Sequence, residues 1–137
     1  MASLAYNSAI FDALSGGIDF ANDSFKVLLV KDTYQPSKSH SRRSDISGEA
    51  FGFGYKQGGA PCEVNLTRDI KNSRIDVVLG PAKWTKASVT ASGAVYYKSR
   101  GGPPEDDELV AYIDFGGSIV ATNGTFALTK SLLRLQV

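Results

Sequence analysis

The chain has 137 residues and a formal charge of +1, from 15 Lys and Arg against 14 Asp and Glu, which leaves no strong field to draw nucleic acid or an anionic membrane surface. Its single cysteine, Cys62, excludes an internal disulfide framework and any multi-cysteine metal site. A hydrophobic share of 42% with 21% charged residues suits one ordinary globular domain over residues 1–137, and no apolar run nears the roughly 18 residues of a membrane-spanning helix.

Taken in order, residues Leu4 to Leu14 give the one convincing helix. Tyr6, Ile10, Ala13 and Leu14 fall at helical spacing, Ser3 is placed to cap the start, and Gly16-Gly17 stops it. So short a helix must gain its stability by laying that stripe on a sheet. Ile18 to Phe20 reads as a brief extended piece. Phe25 to Val30 (FKVLLV) is a strand, apolar on both faces and therefore central. The polar tract Lys31 to Gly48 follows, a long surface loop holding Pro36 and Arg42-Arg43. In Gly48 to Ala60, glycines alternate with Phe51, Phe53 and Tyr55. This predicts an irregular strand whose glycines sit where another backbone comes close.

Glu63 to Asp69 and Ser73 to Leu79 read as a hairpin closed by Ile70-Lys71-Asn72. Trp84, flanked by lysines, suits a core margin, and Ser88 to Ala91 a short strand ended by a Ser92-Gly93 turn. Ala94 to Phe115 reads as two strands about a long solvated loop. Val95 and Tyr97 point one way, Tyr96 and Lys98 the other; Leu109, Ala111, Ile113 and Phe115 oppose Val110, Tyr112 and Asp114. Asn123-Gly124 supplies the positive φ angles of a tight type I′ turn, which predicts a hairpin of Ile119 to Ala121 with Phe126 to Leu128. Leu132 to Val137 (LLRLQV) ends apolar, either as a core strand or as an arm added to a neighbour's sheet. Turn signals every 8 to 12 residues point to an all-β fold, an antiparallel sandwich or barrel with one short N-terminal helix.

No residue stands out for catalysis, cofactor binding or metal binding. The one histidine, His40, lies in the serine-rich SKSHSRRS and reads as an exposed loop residue, with no nucleophile elbow anywhere. Cys62 reads as a small apolar filler. Glu105-Asp106-Asp107-Glu108 lacks the spacing of a calcium loop and reads as the solvated tip of a hairpin. GFGYKQGG (52–59) neither follows a clear strand nor leads into a helix, so it does not read as a phosphate loop. Arg42-Arg43 is too small for a nucleic-acid footprint and suits docking or solubility. Tyr96, Tyr97, Tyr112 and Trp84 are the rings that a carbohydrate-binding module would use as platforms, with core filling as the plainer role.

The opening YNSAIFDALSGGIDFANDSFKVLLVKDTY (6–34), the stretch GFGYKQGG and the later VYYKS…ELVAYIDFGG…NGTFALT resemble a group of small virion proteins of tailed bacteriophages. The resemblance implies a jelly-roll-like sandwich serving as a capsid decoration, or cement, protein on the outside of an HK97-type shell. The implied partner is the major capsid protein and the implied state a homodimer bridging neighbouring capsomers, assembled in the bacterial cytoplasm without nucleic acid or membrane. A tail or baseplate component is the alternative on the same fold. The contact surfaces expected for either are the Gln35 to Ser47 loop, the Arg100 to Glu108 tip and the C-terminal Leu132 to Val137.

Overall fold

A computed structural model of the chain describes residues 3–136. Nine strands and one α-helix succeed one another as β1 (Leu4–Ala5), α1 (Asn7–Ser15), β2 (Phe25–Val30), β3 (Gly52–Phe53), β4 (Ala60–Cys62), β5 (Val64–Asp69), β6 (Arg74–Leu79), β7 (Ala82–Lys98), β8 (Leu109–Leu128) and β9 (Ser131–Gln136). They form two antiparallel sheets. The larger runs β1-β8-β7-β2-β4, with β3 added to β7, and the smaller runs β5-β6-β9. The fold is an all-β sandwich with a short N-terminal helix.

The alternation of side chains in the central strands builds two cores at once. Phe25, Val27 and Leu29 of β2, with Ala94 and Tyr96 of β7, meet Val64, Val77 and Leu79 of the small sheet. Leu28, Val30, Val95 and Tyr97 point to the other face, where Tyr6, Tyr34 and Ile46 from outside the sheet cover them. The large sheet is thus buried on both sides, which is why FKVLLV carries no polar face.

The helix is shorter than its spacing predicts. Leu4 and Ala5 pair with Tyr112 and Ala111 as strand β1, so α1 starts only after Tyr6, which makes no side-chain cap. Ser3 accepts a hydrogen bond from the Asp114 N–H, 2.8 Å away, instead of capping. Its buried positions are Ala9 and Asp12, while Leu14 is 85% exposed. Pairing of residues 4–5 with β8 fixes where the chain enters the helix; of the predicted stripe Tyr6 is buried, Ile10 is part-buried, Ala13 packs on the core and only Leu14 turns to solvent. Gly16 does end α1, in the left-handed conformation at φ 91°. Ile18 and Phe20 are buried without forming a strand.

β7 and β8 are the long ladder around which the rest is arranged, and they correct two predicted turns. Ser92-Gly93 lies within β7, and Asn123-Gly124 within β8; neither reverses the chain. Ile119 to Leu128 pairs not with itself but with Ala82 to Ala91. The left-handed Asn123, at φ 47°, is an extra residue between the pairs Val89↔Ala121 and Ala87↔Gly124, and its N–H is taken by Ser88 Oγ at 2.9 Å. It forms a β-bulge, a second structure that the same backbone angles serve. Phe115 to Ser118 form a larger bulge, four residues opposite the single Ser92. At the other end of the ladder Tyr97 pairs with Leu109 and Tyr96 with Ala111, leaving Val110 as an extra residue. Alternation is reset there, so Val110 and Ala111 both join the core between the sheets.

The predicted hairpin of β5 and β6 is present, with Asp69 opposite Arg74. LLRLQV is built into the small sheet of its own chain: β9 pairs with β6 from Ser131↔Leu79 to Gln136↔Arg74, and Leu133 packs on the core. Val137 lies outside the described residues.

Candidate interaction surface

Two of the three expected contact segments are joined. The loop over residues 31–48 and the β7–β8 connection over 99–108 each contain a single 3-10 turn, Arg43–Asp45 and Pro104–Asp106. Arg42 bridges Glu108 in a one-residue antiparallel contact, the Arg43 N–H donates to the Asp107 carbonyl at 2.8 Å, and the Leu109 N–H donates to the Ser41 carbonyl at 3.1 Å. The loop is thereby sewn onto the start of β8. The C-terminal strand belongs to the small sheet and takes no part.

Ion pairs fasten the same junction. Arg43 Nε donates to Asp107 Oδ2 at 2.8 Å while the Arg43 guanidinium lies 5.2 Å from the centre of the Tyr97 ring. Arg100 grips Glu108 through Nε at 2.8 Å and a second nitrogen at 2.7 Å, the paired geometry in which arginine binds carboxylates best. The acidic run is therefore not a uniformly solvated tip. Asp107 and Glu108 are 1% and 4% exposed, since each has an arginine to offset its desolvation, and only Glu105 and Asp106 face water. Hydrogen bonding to Arg100 holds the Glu108 carboxyl below the usual range. The Ser41 and Arg42 N–H groups do the same for Asp45. Arg42 reaches Asp12 of α1 at 3.5 Å, and Lys98 Nζ holds Asp23 at 2.9 Å and the Gly17 carbonyl at 2.8 Å. Both arginines predicted for docking or solubility are thus engaged within the chain.

His40 is half-buried rather than exposed. Its Nδ1 lies 2.9 Å from the Tyr34 hydroxyl, which in turn lies 2.8 Å from the Tyr6 hydroxyl. Ser8 Oγ donates to the His40 carbonyl, not to its ring, so the contact anchors the loop to α1 and prepares no nucleophile. The Cys62 thiol is pushed up to about 12 by burial, far from a thiolate at neutral pH. Among the described residues no three His, Cys, Asp or Glu side chains come together to hold a metal ion.

The glycine-rich stretch cradles a carboxylate of its own chain. Glu49 Oε2 accepts from the Tyr55 hydroxyl at 2.6 Å and from the Gly58 N–H at 2.7 Å. Its glycines sit where predicted: Gly52 passes over the Ser88 carbonyl and Gly59 over the Val27 carbonyl, too closely for any side chain. The four rings considered for sugar stacking are in the core. Trp84 stacks on Tyr55 at 5.7 Å, Tyr112 meets Tyr34 edge-on at 5.8 Å, and Tyr96 and Tyr97 are at most 1% exposed. None presents a face to a ligand.

Sequence reasoning overlooked Asp12, Tyr34 and Glu49, the residues that tie the loops down. The available signal was a charge inside an apolar or glycine-rich stretch for Asp12 and Glu49, and a lone phenol inside a polar tract for Tyr34. In comparisons with protein-family models, curated proteins and solved structures, nothing matches this chain.

Proposed function

We propose that this chain is a non-enzymatic capsid decoration protein of a tailed bacteriophage, binding the outside of an HK97-type shell and bridging neighbouring capsomers. The observation that carries the reading is the clamped platform. Two polar loops far apart in sequence are fastened to each other by Arg43–Asp107 and the Arg42–Glu108 bridge, the second loop is held in shape by Arg100–Glu108, and both are backed by a sheet buried on both faces. A surface ordered before contact loses less conformational entropy on docking than mobile loops would. Its exposed rim of Gln35, Lys38, Ser39, Ser44, Glu105 and Asp106 is polar and of mixed charge, as suits a reversible landing on another folded protein. The partner on this reading is the major capsid protein. A homodimer touching two capsomers gains retention from two modest interfaces, because the second contact forms at high effective concentration.

Immunogold labelling of purified virions with an antibody against this chain tests the reading. Label spread evenly over the head is the expected result. Label confined to the tail overturns the shell role in favour of a tail or baseplate part, and absence of label overturns the virion assignment altogether.

A further inference from the structure

The sheet edges of this molecule are guarded unequally. β4 carries Pro61, and β1 and β3 are two residues long. Along β8 the open side is broken by the Phe115 to Ser118 bulge and again at Asn123. β5 exposes Asn65, Thr67 and Arg68. Proline, brevity, bulges and polar side chains are the devices that keep an edge from pairing with another chain.

β9 is neither short nor bulged and carries no proline, and its polar residues are only Ser131, Arg134 and Gln136. Its six residues run in unbroken register with β6 and include no proline, glycine or lysine. Its one charge, Arg134, is bound by two hydrogen bonds of 2.8 and 3.0 Å to Asp76 on the inner neighbouring strand. Leu132 is 51% exposed on the outer face and Leu135 37% on the inner, where Ile75 and Leu66 continue the uncovered apolar row.

We infer that the free edge of β9 pairs antiparallel with β9 of a second copy of this chain. A two-fold axis normal to the sheet joins the two small sheets into one of six strands. Self-pairing brings the same edge of both copies together about the axis, so an unneutralised charge there would be doubled across the seam. Asp76 neutralises the only candidate, and a charged foreign segment would find nothing to recognise. A register centred on Leu133 sets Leu133 against its counterpart and Leu132 against the aliphatic stem of Arg134, with no arginines opposed. The pairing is a property of the isolated chain and stands apart from the capsid reading: virion labelling tests one, sedimentation the other.

The full chain is sedimented up to about 100 μM, with the variants Leu132→Lys and Leu135→Lys alongside. The expected species is a dimer, twice 14.6 kDa, and each lysine is expected to weaken association by about tenfold or more. Nitroxide labels on Leu132→Cys in a Cys62→Ser background are expected within about 20 Å of each other, because paired strands lie about 4.8 Å apart. A monomer at every concentration, a dimer indifferent to both lysines, or labels beyond about 30 Å would each overturn the assignment. The label distance decides the matter alone if the lysine variants fail to fold.

Discussion

At the scale of single residues, the carboxylates of the loop junction behave as fasteners. Glu108 is almost fully buried, and its carboxyl is held below the ordinary range first by the hydrogen bonds from Arg100. A group whose pKa is lower folded than unfolded adds stability above its unfolded value, near 4, and loses it as pH falls through the folded value. Thermal stability is therefore expected to be flat from pH 7 to about pH 5 and to decline below about pH 4. Glu108→Gln is expected to cost about 1 kcal/mol at neutral pH, the low end for a charge-assisted bond because Arg100 is half-exposed and regains water. The variant should also show a shallower acid decline, measured as melting midpoint against pH. An identical pH profile in both proteins would mean the pair does not hold the tip.

At the scale of elements, backbone approach decides which glycines matter. Gly59 has φ 81°, and a Cβ there would overlap the Val27 carbonyl oxygen. Gly116 has φ 79° and open space around it. Gly59→Ala is expected to cost about 3 kcal/mol or more, strain and overlap together, and Gly116→Ala only about 1 kcal/mol; urea unfolding of the two variants compares them. Equal costs would show that strain alone operates. The close passage at Gly59 was legible in the sequence, as were β2, the β5–β6 hairpin and the faces of Val95 to Lys98, because each follows from local alternation or from glycine spacing. What was not legible depended on distant partners. Asn123-Gly124 announces positive φ, yet only the presence of β7 decides between a reversal and a bulge. The stripe on α1 does meet the core through Tyr6 and Ala13, but β1 pairing delayed the helix start and Leu14 is left in solvent. Asp107 read as solvated because its partner Arg43 lies 64 residues away in sequence, and Glu108 because the fold of its own connection is what brings Arg100 onto it.

For the whole molecule, the small sheet is the part most exposed to loss. Removal of residues 131–137 strips β6 of one of its two ladder partners and takes Leu133 off the core that holds Val77 and Leu79. Burial of Leu133 alone is worth about 2 kcal/mol, so the truncated chain is expected to be insoluble or to melt well below the full one. A truncated protein with an unchanged melting midpoint would show that β9 is dispensable to the fold.

The order of strands in the large sheet also sets a timetable. Leu4 and Ala5 find their partners only in Ala111 and Tyr112, and a ribosome adding 5–20 residues each second takes about 5–20 s to cover that interval. Until then the N-terminal segment has no strand to join, and the apolar FKVLLV strand itself waits for the Gly93 to Lys98 end of β7. The nascent chain therefore passes through a long stage in which its most hydrophobic strand is made but unplaced, and chaperones have that interval in which to hold it.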